Sequence, residues 1–309
     1  MKYFFLLLLF VFGLLNSLAH SQEIYSKAYG NPQHSPIIFI HGGPRGNATL
    51  FEGTTAGLIA KKGFYVIVYD RRGEGRSIDS SATITFTEAI NDPDHLMEKY
   101  KIKKTAIIGH SFGGIVATLY ASARSEKVER LILVDALFSQ QETYDHILQS
   151  ITKLARAKED TASLSRISLI NSLDRRSADY RKLCYDLAST YGFFNMPHPT
   201  PGSKQLELHY QNSEYGRTNI RNDKAPLVFY KNERQVNIDT KQILNDIQKM
   251  NVKLFGIYGR QDQIFSNKQL VDIRQLIGDK RFDLIDNCSH YPFVDQQQRF
   301  IDDIEKFMM

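Results

Sequence analysis

Short, continuously apolar runs that end in glycine-rich or polar turns constrain this chain more than any other feature. Pro36-Ile37-Ile38-Phe39-Ile40, Phe64-Tyr65-Val66-Ile67-Val68-Tyr69, Thr105 to Ile108 and Arg130 to Asp135 follow one another. Helix-compatible segments lie between them, from Leu50 to Lys62, from Glu88 to Tyr100 and after Gly114. A strand that is apolar throughout must be covered on both faces, and strands joined through helices run parallel. The expected core is therefore α/β, a mostly parallel central sheet with helices on both faces. Asp92-Pro93 is expected to break or restart the second of those helices, because proline removes a backbone donor from a helix interior.

After Asp135 the alternation stops. Residues 136–250 are polar, helix-compatible and rich in tyrosine, with Pro226 to Tyr230 the one strand-like run among them. They read as an inserted, mainly helical lid. The sheet resumes with Val252 to Tyr258, a helix from Asn267 to Ile277, the strand Arg281 to Ile285 and a last helix from Gln296 to Phe307. Residues 22–135 and 251–309 are thus expected to form one core, with 136–250 as the lid, and the lead from Gln22 to Ser35 is assigned no element. A chain of 309 residues is long enough to bury such a core.

The first residues, Met1-Lys2 followed by apolar Tyr3 to Leu15, have the form of an export signal. Small residues permit cleavage before His20 or before Gln22, so residues 1–21 are expected to be a signal peptide and the protein to be periplasmic or secreted. The alternative is a retained membrane anchor, since a span needs about 17 residues. The two cysteines, Cys184 and Cys288, are expected to be free and buried. Lysines and arginines are spread among their counter-charges, and a net charge of +5 gives no nucleic-acid footprint.

Gly109-His110-Ser111-Phe112-Gly113-Gly114 joins the third apolar run to the following helix. A serine on so sharp a turn is held in a strained backbone conformation with its hydroxyl exposed above a strand end, and small flanking residues make room for it. The helix N-terminus beneath it favours developing negative charge. Ser111 is therefore the candidate nucleophile. A serine hydroxyl needs a base, and the base needs an orienting carboxylate. Asp262, in Gly259-Arg260-Gln261-Asp262, and His290, in Cys288-Ser289-His290-Tyr291-Pro292, follow successive late strands and can meet at the carboxyl edge of the sheet. Asp286, Asp283 and Asp135 are rival acids, Asp135 the strongest of them, and His110 is expected to be packing support. An acyl-transfer oxyanion wants two backbone N–H donors. Phe112 is one candidate, and Gly43 of the turn His41-Gly42-Gly43-Pro44 is the other, with Gly42 next. Neither a dinucleotide fingerprint nor metal-ligand spacing is present, so no cofactor and no metal are expected.

With these residues placed, the chain resembles the α/β-hydrolase superfamily, and within it the proline iminopeptidase group. His41-Gly42-Gly43-Pro44 is similar to that group's oxyanion loop, and Asp70-Arg71-Arg72-Gly73-Glu74-Gly75-Arg76-Ser77 to its D-x-R-G-x-G-x-S loop. The resemblance covers Ile37 to Val134 and Val252 to Phe307. It implies cofactor-free hydrolysis of an amide or ester bond of a small molecule or short peptide by Ser111, His290 and Asp262. Two departures stand out. The group usually has tryptophan after the nucleophile, where this chain has Phe112 and contains no tryptophan. The elbow is closer to that of esterases and C–C bond hydrolases. Lid glutamates of the iminopeptidases bind the substrate's free amine, and Leu206-Glu207-Leu208-His209-Tyr210 loosely resembles a segment that supplies one, which makes Glu207 a weak candidate. Peptidase, carboxylesterase or lipase-like enzyme, and C–C hydrolase all remain open, as does a binding protein on a hydrolase scaffold.

Overall fold

The computed structural model describes residues 23–309. The proposed signal segment and both cleavage points lie outside the described residues. A seven-stranded sheet runs in the order β1-β3-β2-β4-β5-β6-β7. Its strands are β1 (Ser26–Tyr29), β2 (Ser35–Ile40), β3 (Phe64–Tyr69), β4 (Thr105–His110), β5 (Val128–Val134), β6 (Lys253–Gly259) and β7 (Phe282–Ile285). All neighbouring pairs are parallel except β1 with β3. The edge strand β1 was not expected from the sequence. Its Ser-Lys-Ala-Tyr lacks a buried apolar run, because an antiparallel edge strand need not be covered on both faces.

Why the central strands read as unbroken apolar runs is visible in the packing. Ile38, Ile40, Ile67, Ile107 and Leu131 point into one buried layer, and Ile37, Phe39, Val66, Ile108 and Ile132 into the other. On the first side lie the helices Phe86–Lys99, Phe112–Ala123 and Asn267–Ile277. On the second lie residues 49–61, whose helix contains a π turn at Glu52–Ala56, and the helix Gln297–Met308.

Two local expectations are corrected. Phe86–Lys99 continues straight through Pro93, whose ring is buried with the Asp92 side chain. Asp92 receives the Arg72 backbone N–H at 3.1 Å, so tertiary contacts hold the segment together across the missing helical donor. Pro226 to Tyr230 is helical, within Ala225–Asn232. Its proline sits in the first turn, where a missing N–H costs nothing and the fixed φ suits a helix.

Between β5 and β6 every element is helical, from Gln140–Ala157 to Lys241–Lys249. The last of these packs on Phe112–Ala123 and Asn267–Ile277, so it covers the sheet, whereas Gln140–Ala157, Thr161–Ser172, Ala178–Thr190 and Ala225–Asn232 pack on one another. Cys184 and Cys288 are both buried and free. Among the described residues no helix is long and apolar enough to cross a membrane.

Candidate active site

Ser111 occupies the crossing of β4 and the helix Phe112–Ala123 with φ 54° and ψ −126°, a conformation that L-residues rarely adopt. The turn is clamped from both sides. Ser111 N–H donates to the Val134 carbonyl at 3.2 Å, while its own carbonyl accepts from Gly114 and Leu137, each at 2.9 Å. The glycine at 113 is obligatory, since a Cβ there would lie 2.3 Å from the Ile40 carbonyl oxygen and 2.5 Å from that of His41. Thus the Ser111 turn is seated directly on the end of β2.

His290 and Asp262 meet as the strand order requires. The Asp262 carboxylate and the His290 ring are both buried, and Nδ1 lies 2.7 Å from Oδ2. Because a carboxylate accepts, Nδ1 carries a proton, and in the neutral imidazole this leaves Nε2 as the lone-pair nitrogen. Asp262 is itself aimed by the Ile264 N–H, which donates to its other oxygen at 3.2 Å. Ser111 Oγ makes no side-chain hydrogen bond among the described residues. Catalytic hydrogen bonds without substrate are commonly long and tighten on binding. His110 bridges the two parts of the site. Its Nε2 is 2.8 Å from the His290 carbonyl oxygen, and the two rings lie 4.9 Å apart. Burial pushes the His110 imidazole down to about 3, so it is neutral and donates from Nε2, fixing the backbone of His290 as well as filling space.

Of the rival acids, Asp283 pairs with Arg299 and Asp286 with Arg260, both away from the histidine. Asp135 does belong to the site. It is fully buried at the end of β5 with φ 37°, and its Oδ1 accepts the Gly259 N–H at 2.9 Å. Among the described residues its Oδ2 finds no hydrogen-bond partner. Burial first, and then the neighbouring Asp262 carboxylate, raise its pKa well above the ordinary carboxylate range, which favours the protonated form of Asp135 beside Asp262. The sequence placed Asp135 as a competitor of Asp262; the structure makes it a neighbour.

The turn from His41 to Gly46 rests on a buried ion pair that sequence reasoning saw only as part of a motif. Arg71 donates to the His41 carbonyl and, at 3.1 Å, to that of Gly42. It pairs with Glu74 at 3.0 Å, and Glu74 in turn accepts the N–H groups of Arg45 at 2.7 Å and Gly46 at 3.0 Å. The Gly42 carbonyl also receives His41 Nδ1 at 2.6 Å. In a trans peptide the N–H is opposed to the C=O, so these bonds turn the Gly43 N–H away from Arg71. Gly42 lies against Ser111: a Cβ there would be 3.1 Å from Ser111 Cβ and 3.5 Å from Oγ. Phe112, first residue of its helix, has an N–H that the helix itself leaves free. Glu74→Ala would strand the Arg71 guanidinium and release two loop N–H groups. Chemical unfolding should show a loss of about 3–5 kcal/mol, with activity falling in the fraction that stays folded.

Glu207 stands on an exposed face of the helix Pro201–Asn212. That helix packs beside Pro292–Asp295, next to the loop bearing His290, and the Glu207 charge contributes to raising half-buried Asp295 to about 6, after desolvation itself.

Residues 35–297 match the α/β hydrolase fold family, and the chain belongs to it. Its curated relatives include the sn-1-specific diacylglycerol lipase ABHD11 of Danio rerio, 34% identical over 34% of this chain and 33% of that protein. Another is the proline iminopeptidase of Neisseria gonorrhoeae, 31% identical over 36% of each chain. These alignments thus span about a third of the relatives' length. Among solved structures, the proline iminopeptidase-related protein from Thermus thermophilus superposes with a TM-score of 0.66 at 18% identity, covering 92% of both chains. A carboxylesterase structure from Nitrososphaera gargenis gives a TM-score of 0.60 at 18% identity, covering 94% of this chain and 96% of that one. At such identities the likeness is one of fold.

Proposed function

We propose that this enzyme is an exported serine hydrolase that cleaves an ester or amide bond of a small substrate through an acyl-enzyme. Ser111 attacks the carbonyl, His290 takes the serine proton at Nε2 and returns it to the leaving group, and Asp262 holds the imidazole tautomer. The N–H groups of Gly43 and Phe112 receive the oxyanion. The observation that carries this reading is the buried 2.7 Å bond from His290 to Asp262, at strand ends beside a serine held at φ 54°.

Esterase chemistry is the leading form. In the iminopeptidases lid glutamates bind the substrate's free amine, whereas Glu207, the candidate here, stands exposed on its helix. Hydrolysis of short-chain p-nitrophenyl esters compared with proline β-naphthylamide tests this choice. Faster turnover of the esters, unchanged in Glu207→Ala, is the expected result. A preference for the naphthylamide that Glu207→Ala removes would instead establish the aminopeptidase. Export is tested by the N-terminal sequence of protein recovered outside the cytoplasm, expected to begin at His20 or Gln22.

A further inference from the structure

Arg181 joins the lid to the core at the turn that carries Gly43. It lies on the lid helix Ala178–Thr190, is 8% exposed, and donates from Nη2 to the Gly43 carbonyl at 2.7 Å. Its guanidinium stands 5.0 Å from the centre of the Tyr185 ring and near the hydroxyls of Tyr144 and Tyr230. Tyr185 in turn is 5.9 Å from Phe194, which packs on the His290 ring at 5.1 Å. Ser111, Gly43, Tyr185, Phe194 and Tyr230 all keep partial solvent access, as side chains around a cleft do.

What sets Arg181 apart is its missing counter-charge. Its Nε has no hydrogen-bond partner, and among the described residues no carboxylate pairs with it. The lid carboxylate of Asp145 is engaged by Arg175 and Gln141. The chain treats its other enclosed arginines differently: Arg71 has Glu74, and Arg76 has both Asp70 and Glu52. An arginine cannot escape burial by losing its proton, and a carbonyl or an aromatic face lessens the cost of enclosing it without cancelling the charge. A planar fork of donors beside an oxyanion loop suits a carboxylate.

We infer that Arg181 is a substrate subsite for an anion, and that the natural substrate carries a carboxylate a few bonds from the scissile carbonyl. The inference rests on the serine-hydrolase reading above and narrows it to acidic esters or amides. It is opposite in charge to the cationic amine that an aminopeptidase binds.

The test compares kcat/KM for p-nitrophenyl hexanoate with that for the p-nitrophenyl monoester of adipic acid, which places a carboxylate on the acyl side. A nitrophenyl hexanoate bearing a ring carboxylate places it on the leaving group. A charged hydrogen bond to the guanidinium should favour one of the acidic esters by about tenfold or more. Arg181→Met also removes the Gly43 contact and should slow every ester, so the ratio of acidic to neutral turnover is the diagnostic quantity. That ratio should fall at least about tenfold in Arg181→Met and recover in part in Arg181→Lys. Preference for the neutral ester over both acidic ones, or an acidic preference that survives Arg181→Met, would overturn the subsite. Should Arg181→Met fail to fold, the wild-type protein decides: glutarate should slow labelling by a fluorophosphonate and glutaramide should not, and equal behaviour of the two overturns the proposal. Wild-type protein that takes the label yet shows no carboxylate preference removes the subsite alone, whereas protein that neither labels nor turns over any ester removes the serine-hydrolase reading with it.

Discussion

With Ser111 replaced by alanine, the protein should take no label from a fluorophosphonate and should hydrolyse p-nitrophenyl esters at least about a thousandfold more slowly. The size of the loss follows from what the position does. A nucleophile and its base act as a unit, so deleting the oxygen leaves only binding and whatever stabilisation the oxyanion N–H groups provide. The fold should be untouched. The hydroxyl makes no side-chain hydrogen bond among the described residues, and the turn is held by backbone bonds to Val134, Gly114 and Leu137 that alanine keeps. Circular dichroism and the thermal midpoint of the variant therefore act as the control. Undiminished labelling of a well-folded Ser111→Ala protein would remove this serine from the mechanism, and the binding-protein reading would gain from a wild-type chain that never labels.

The core was legible because its signals are local. Buried parallel strands such as Ile37 to Ile40 have nowhere to put a polar residue, so they appear in sequence as unbroken apolar runs. Gly113 was legible for a similar reason, since only a residue without Cβ can sit on the end of β2. His290 and Asp262 could be chosen because strand order alone brings the loops after β6 and β7 side by side. The remainder depends on contacts between residues far apart in the chain. Arg181 meets Gly43 across 138 positions, and no pattern within the lid announces it. Pro226 to Tyr230 misled because a short apolar run fits strand and buried helix alike. Asp135 was visible as an acid at a strand end. Its protonation state was not, since that depends on enclosure and on a second carboxylate supplied by the loop after β6.

Asp262→Asn should lower kcat by about 10⁴, whereas Asp135→Asn should change it by no more than several-fold. The first loss follows from the tautomer. Asp262 accepts the Nδ1 proton of His290 at 2.7 Å, and an amide that turns its NH2 toward the ring would move that proton to Nε2, where it faces the serine and cannot receive from it. The second variant is nearly isosteric with a neutral acid: asparagine keeps an oxygen for the Gly259 N–H and offers an N–H to Asp262 in place of the carboxyl proton. The titratable groups facing Asp135 are the Asp262 and Asp295 carboxylates, the Cys288 thiol and the Tyr258 hydroxyl, with no cation among them; the Gly259 N–H favours ionisation, but burial and the Asp262 charge outweigh it. Stability should report the same proton. Asp135 titrates higher in the folded protein than in the unfolded chain, so its favourable contribution is complete below the unfolded value of about 3.9 and is lost as the pH rises through the folded value. Asp135→Asn removes that dependence. Its thermal midpoint should therefore exceed the wild-type value at pH 8 by a margin that shrinks toward pH 4. A kcat loss in Asp135→Asn as deep as that in Asp262→Asn, or a margin that grows on acidification, would mean that Asp135 carries a charge and that the two carboxylates share the work of orienting His290.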